Sequence, residues 1–103
     1  MTMANVLRDR VLIQVKTTTQ TSTGETVIWK PVERKHARVI PLDVRTIALY
    51  MQKKSEVTHR VVMRGTVSLT LGNNRLLWED KTLEPVEPTQ KVGESTIIMV
   101  RQI

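Results

Sequence analysis

The sequence predicts a mainly β protein, a small antiparallel β-barrel or sandwich with one short α-helix inserted at about residues 43–54. Three observations carry this expectation. Val, Thr and Ile supply about a third of the 103 residues, and branching at Cβ stiffens χ1 and suits a pleated surface. Apolar residues alternate with period two in a succession of short runs parted by turn residues. Only one stretch changes to helical spacing.

Residues 8–16 alternate, with Val11, Ile13 and Val15 on one face and Gln14 and Lys16 on the other, as in a half-buried strand. Residues 17–24 then hold no apolar side chain. Thr17, Thr18, Thr19, Gln20, Thr21, Ser22, Thr23 and Gly24 are therefore expected to form a mobile hairpin tip or arm. Such a segment buries too little to offset a backbone ordering cost of about 1–2 kcal/mol per residue, which predicts disorder until a neighbour orders it. Residues 25–30 form a second strand with Val27 and Trp29 on one face. Pro31 cannot donate to a ladder and predicts a bend or bulge. Residues 32–40 continue with Ala37 and Val39 inward and Arg34, His36 and Arg38 outward, until Pro41 stops the strand.

Over residues 43–54, Val44, Ile47, Ala48 and Met51 share one helical face. Asp43 is placed to cap the first turn, and Lys53 and Lys54 suit the negative C-terminal end. Three turns are marginal alone, so this stripe must dock on the barrel or on a neighbour. Arg45, Lys53 and Lys54 lie off the stripe. Residues 55–64 return to period two, with Val57, His59, Val61 and Met63 on one face and Glu56, Thr58, Arg60 and Arg64 on the other. A shorter alternating run spans 67–71, and Gly72-Asn73-Asn74 is a turn signal. Residues 75–79 and 81–87 make a hairpin about Asp80, with Pro85 and Pro88 marking the second strand as an edge. Residues 91–94 turn into a strongly apolar last strand at 95–103.

The length suits a single domain, residues 1–103. Area scaling gives a folded surface of roughly 5,900 Å² and burial of roughly 65%, so the core is thin. The absence of cysteine excludes a disulfide scaffold, a zinc finger and a thiol nucleophile. No apolar run reaches the roughly 18 residues that span a bilayer, and the first residues lack an apolar signal core. A soluble, cytosolic product without membrane partners is expected. The net charge of +6 is uneven. Residues 1–78 carry 13 basic and 5 acidic groups, residues 79–103 carry 3 basic and 5 acidic. A basic balance suits nucleic acid or another acidic partner, and a two-signed molecule can also stack head to tail on copies of itself.

Catalytic chemistry is not visible. No nucleophile elbow, phosphate-cradling glycine loop or paired-histidine zinc motif occurs. No catalytic, cofactor-binding or metal-binding residue, cofactor or small-molecule substrate is assigned, and no enzymatic activity is expected. His59 reads as a half-buried histidine bonded to backbone, and His36 as solvated among Arg34, Lys35 and Arg38. The carboxylates Glu79, Asp80, Glu84 and Glu87 read as an exposed acidic edge that discourages strand aggregation. Two basic segments stand out, one of Lys30, Arg34, Lys35, His36 and Arg38, the other of Arg45, Lys53, Lys54, Arg60 and Arg64. Base-stacking modules add clustered aromatics, and Trp29, Tyr50 and Trp78 are scattered. A backbone-facing basic surface remains open beside a merely solvated one.

The order of features resembles the phage head–tail joining family, the head-closure or stopper proteins of long-tailed bacteriophages. The resemblance starts at Leu7-Arg8-Asp9-Arg10-Val11 and Ile13-Gln14. It continues through Gly24-Glu25, the tryptophan strand Val27-Ile28-Trp29, Ala37 and Val39-Ile40-Pro41-Leu42. Its most telling piece is Val57-Thr58-His59-Arg60-Val61 with Arg64, followed by Arg75-Leu76, a hairpin from Trp78 to Leu83 and the last apolar strand. Departures are His36 in place of an aromatic, Asp80-Lys81 in place of a glycine turn, and Pro85 within a strand.

The resemblance implies a structural virion protein of the neck, made in the host cytoplasm during assembly. Such proteins form a homo-oligomer ring, usually of twelve copies, below the portal and its adaptor (the connector). They close the filled head and present a surface to the tail terminator or tail tube. Trp29, Thr58, His59, Arg60 and Arg64 would be structural motif residues. The Thr17–Gly24 arm would dock a neighbour, and Arg45, Lys53 and Lys54 would face a partner or, non-specifically, the packaged double-stranded DNA. A tail-completion or adaptor role in the same neck is an alternative. So is a free-standing small barrel that binds nucleic acid or protein.

Overall fold

The computed structural model describes residues 8–52 and 56–103. In chain order it holds β1 (Asp9–Thr21), β2 (Gly24–Pro41), α1 (Val44–Gln52), β3 (His59–Arg64), β4 (Asn74–Trp78), β5 (Lys81–Pro85), β6 (Gln90–Val92) and β7 (Ser95–Gln102). Neighbouring strands pair antiparallel in the order β3-β2-β1-β4-β5-β7-β6. A further antiparallel pairing joins β3 to β7, so the sheet closes on itself with β6 appended to β7. The expected small antiparallel barrel with one inserted helix is what the chain forms.

Period two explains the core. Val11 and Ile13 of β1, Ala37 and Val39 of β2, and Val61 and Met63 of β3 point inward and are buried. Leu76, Leu83, Ile98 and Val100 complete the same cluster, with Val67 and the partly buried Leu69 and Trp78 packed on it. Register brings them together: Ile13 lies opposite Leu76, Leu76 opposite Leu83, and Val61 opposite both Val39 and Ile98. Each fully buried aliphatic side chain contributes roughly 1.5–3 kcal/mol relative to leaving it exposed. Gln14 lies opposite Pro31 and Ile13 opposite Glu33, so Val32 is the extra residue of a bulge. That is the interruption the proline predicts.

Four expectations change. First, Thr17–Gly24 is not disordered. Thr17 to Thr21 stay in β1, in unbroken register from Thr17 opposite Ile28 to Thr21 opposite Gly24. The Thr17 hydroxyl donates to Ile28 O at 3.0 Å and the Thr21 hydroxyl to Gly24 O at 2.9 Å. Polarity bears on burial, not on pairing. Once the base fixes the register, β-branched threonines propagate it. Every residue from Thr18 to Ile28 is exposed, so the tip is a two-stranded ribbon. With the ribbon bare on both faces, the surface reaches 7052 Å², above the compact-chain expectation.

Second, α1 buries none of its side chains. Of the expected stripe only Ile47 is half-covered, while Val44 is 84% and Met51 62% exposed. The barrel interior is already filled by strand residues, so the helix lies outside it. Its cap is as expected: Asp43 Oδ1 accepts the Thr46 N–H at 2.8 Å, and Ile47 N–H donates to Asp43 O at 3.0 Å. The Thr46 side chain, then its backbone N–H, hold the Asp43 carboxyl below its usual pKa. Lys53 and Lys54 lie outside the described residues. Third, residues 67–71 form no strand. Val67 is still buried, its N–H donating to the Thr96 hydroxyl at 3.1 Å in place of a strand partner. Fourth, the strand expected at an edge is paired on both sides: β5 ends at Pro85 and lies between β4 and β7, while Gln90–Val92 form a strand of their own on β7.

Three hairpins turn on two residues each, with Ser22-Thr23 joining β1 to β2. Glu79-Asp80 joins β4 to β5, and Gly93-Glu94 joins β6 to β7. The first turn residue has positive φ in the last two, 56° at Glu79 and 60° at Gly93. Glycine reaches that region freely, whereas glutamate does not.

Candidate functional site

The outward phase of the first three strands gathers charge that is scattered in the sequence. Arg34, His36 and Arg38 of β2 point away from Ala37 and Val39, as expected, and are exposed. Arg10 lies opposite His36, Val62 opposite Arg38, and Arg60 opposite Ile40. Arg60 and Arg64 alternate with the buried Val61 and Met63, so they share this outer face. Arg10, Arg34, Arg38, Arg60 and Arg64 are all exposed, and none has an ion-pair partner among the described residues. Half-buried Leu12, Ile40 and Val62 lie between them. Sequence reading split these arginines between two segments and left Arg10 out. The signal that joins them is the strand phase combined with the pairing of β1, β2 and β3. Lys35 belongs elsewhere, being half-buried with Nζ 3.9 Å from Glu33 Oε1.

Acidic charge collects on β5 and in the segment before β3. Arg101 of β7 lies opposite Glu84 of β5, with Nη2 to Oε2 at 2.7 Å, and its Nη1 meets Glu56 Oε2 at 3.3 Å. The bonds and charge of Glu84, then those of Glu56, raise the Arg101 pKa above its ordinary value. This network sits in a groove of about 590 Å³. Met51, Leu71, Pro85 and Val86 line it beside the two carboxylates and the guanidinium.

Of the motif residues, Trp29, Thr58 and His59 make contacts within the chain, whereas Arg60 and Arg64 lie on the outer face described above. Trp29 is half-buried, with the Arg75 guanidinium 4.3 Å from its ring centre. Arg75 Nε in turn donates to Gln14 Oε1 at 2.7 Å. The Thr58 hydroxyl accepts the Gln102 N–H at 2.8 Å and lies 2.8 Å from His59 Nδ1. His59 is half-buried as expected, but its partner is this hydroxyl, not backbone. Its ring meets Trp78 edge-on at 5.8 Å, and Lys81 Nζ lies 4.7 Å over Trp78 from its own strand. Burial first, then the Lys81 charge, lowers the His59 pKa. A neutral ring accepts the Thr58 O–H at Nδ1, which agrees with that direction. Arg45 is exposed on α1, seven residues after Arg38 of β2. Among the described residues no His, Cys, Asp or Glu cluster is arranged for a metal, and no buried side-chain N or O lacks a partner.

A closed small barrel with a bare ribbon, an uncovered helix and opposite charges on separate faces defines a protein that works through its surfaces. The sequence profile of the phage head completion protein family matches residues 3–102, and the chain belongs to that family. Its role is the structural one of completing the phage head, as a component of the virion. The solution structure of protein SF1141 from Shigella flexneri 2a has the same fold, with a TM-score of 0.75 and 19% identity over 99% of this chain and 96% of that one. No curated protein matches the chain significantly.

Proposed function

We propose that this chain, acting as one domain over residues 1–103, is the stopper of the phage neck. A ring of about twelve copies assembles below the portal and its adaptor, closes the DNA-filled head and offers its lower surface to the tail terminator or tail tube. The observation that carries this reading is the family match along nearly the whole chain. The exposed stripe of α1 and the bare β1–β2 ribbon support it, since both present side chains that a partner would cover. The ribbon, Thr17 to Gly24, serves as the docking arm. Arg45 faces the DNA channel or an acidic partner, joined by Lys53 and Lys54. Base-specific contacts are not needed there, because charge alone attracts the duplex backbone.

The test is to image particles made without this protein. Filled heads that lack only tails, or heads that have lost their DNA, are expected. Normally tailed, infectious particles would overturn the reading.

A further inference from the structure

We propose that the arginine face on β1–β3 of one subunit seats against the Glu56–Glu84 groove of the next copy of this chain. The inference rests on the ring reading above and supplies its lateral contact.

Topology is the first argument. Around the closed sheet, β2 is separated from β5 by β1 and β4 on one side and by β3 and β7 on the other. The arginines centre on β2, whereas the groove runs from Glu84 of β5 through Arg101 of β7 to Glu56 just before β3, so the two surfaces are different patches of the barrel wall. A contact between two different patches is heterologous. It leaves the same two faces free at each end, and it closes into a ring when the rotation permits.

Charge is the second. Among the described residues the groove holds two carboxylates around a single guanidinium. The arginine face offers side chains that have no ion-pair partner among the described residues. An entering arginine would join the network, and its planar fork binds a carboxylate bidentately.

The kind of surface is the third. It is made of arginine, not lysine, with Leu12, Ile40 and Val62 between the charges. Arginine with apolar residues is the composition of protein interfaces, where lysine is depleted. The groove has the matching make-up, carboxylates rimmed by Met51, Leu71 and Val86. Duplex DNA would satisfy the arginines but leave the groove unused, whereas a second copy satisfies both.

The chain has no cysteine, which makes the contact directly testable. Particles are assembled with R38C/E56C or R60C/E56C, oxidised, and run without reductant. Wild-type particles treated with an amine-reactive cross-linker report the ring itself. The expected result is a ladder of copies in both experiments. A ladder from the amine cross-linker without disulfide-linked copies would overturn the contact and leave the ring standing. No ladder in either would overturn both. R38E/R60E and E56R/E84R should each lower infectivity by about a hundredfold or more, and co-expression should restore most of it through alternating subunits. Loss of packaged DNA in R38E/R60E that the second variant fails to rescue would assign the arginines to DNA and overturn the proposal.

Discussion

The two halves of the β1–β2 hairpin share one register and differ in what holds them. At the base, Val11, Ile13, Ala37 and Val39 all point into the core, β4 pairs with β1 and β3 with β2. At the tip the same two strands pair only with each other, and both faces meet water. The mutual ladder of β1 and β2 therefore runs through both halves, while pairing on the outer edges and apolar burial are confined to the base. Pairing sets the shape, and burial sets the stability. A two-stranded ribbon is marginal alone. Its persistence depends on the barrel, and its use depends on a partner.

The largest contrast should come from the core. Leu76→Ala at the base should cost about 2–5 kcal/mol, read as a lower urea midpoint. A cost below about 1 kcal/mol would show that the base does not hold the fold. Next come the two-residue turns, where strain rather than burial is at stake. Glu79→Gly should stabilise by roughly 0.5–1 kcal/mol, since the Lys81 Nζ to Glu79 Oε2 contact of 4.0 Å that it removes is exposed and weak. Gly93→Ala should destabilise by about 1 kcal/mol, although nothing lies within 4 Å of the added Cβ. Equal midpoints for wild type and both variants would sink the backbone argument.

A smaller effect follows from His59. Its folded pKa lies below the ordinary value, so the folded state prefers the neutral ring and the unfolded state binds more protons. The stability it contributes is present above about pH 6.5 and is lost as pH falls through the folded value. Thermal midpoints should drop modestly between pH 7 and pH 5, and His59→Gln should flatten that drop. The smallest change in stability should come from the tip. Replacing Thr18–Val27 by an Asn-Gly turn should shift the urea midpoint by less than about 0.5 kcal/mol equivalent, yet lower the yield of tailed particles. A collapse in stability would show that the ribbon supports the base after all.

Most of the barrel was legible from period two, because an inward valine every second residue is a local signal. Pro31 announced its bulge and Asp43 its cap for the same reason. The ribbon is the hairpin tip the sequence predicts, but its strand pairing is not legible there, because composition reports burial, and pairing inherited from a distant base leaves no local mark. The helix stripe of Val44, Ile47, Ala48 and Met51 is legible as apolar. Whether it docks within the chain depends on core volume, which period cannot convey. The Gln90–Val92 strand is three residues long and fully exposed, so no alternation marks it. The arginine face is legible only in part, since grouping Arg10 with Arg38 and Arg60 requires the pairing as well as the phase. The groove needs Glu56, Glu84 and Arg101 brought together from three segments, which sequence spacing does not show.

The closing strand has a consequence in time. β7 lies last in chain order, yet it pairs with β3, β5 and β6 and carries Ile98 and Val100 into the centre of the core. During synthesis every earlier strand emerges before the one that joins them. Until β7 follows, β3 and β5 keep open edges and half the core has no lid. Closure waits for contacts far apart in the chain, which places folding in the slower regime of non-local β proteins. The nascent chain is therefore most exposed to wrong strand pairing in the interval before its last strand appears, and its protection must come from the charged outer faces it already displays.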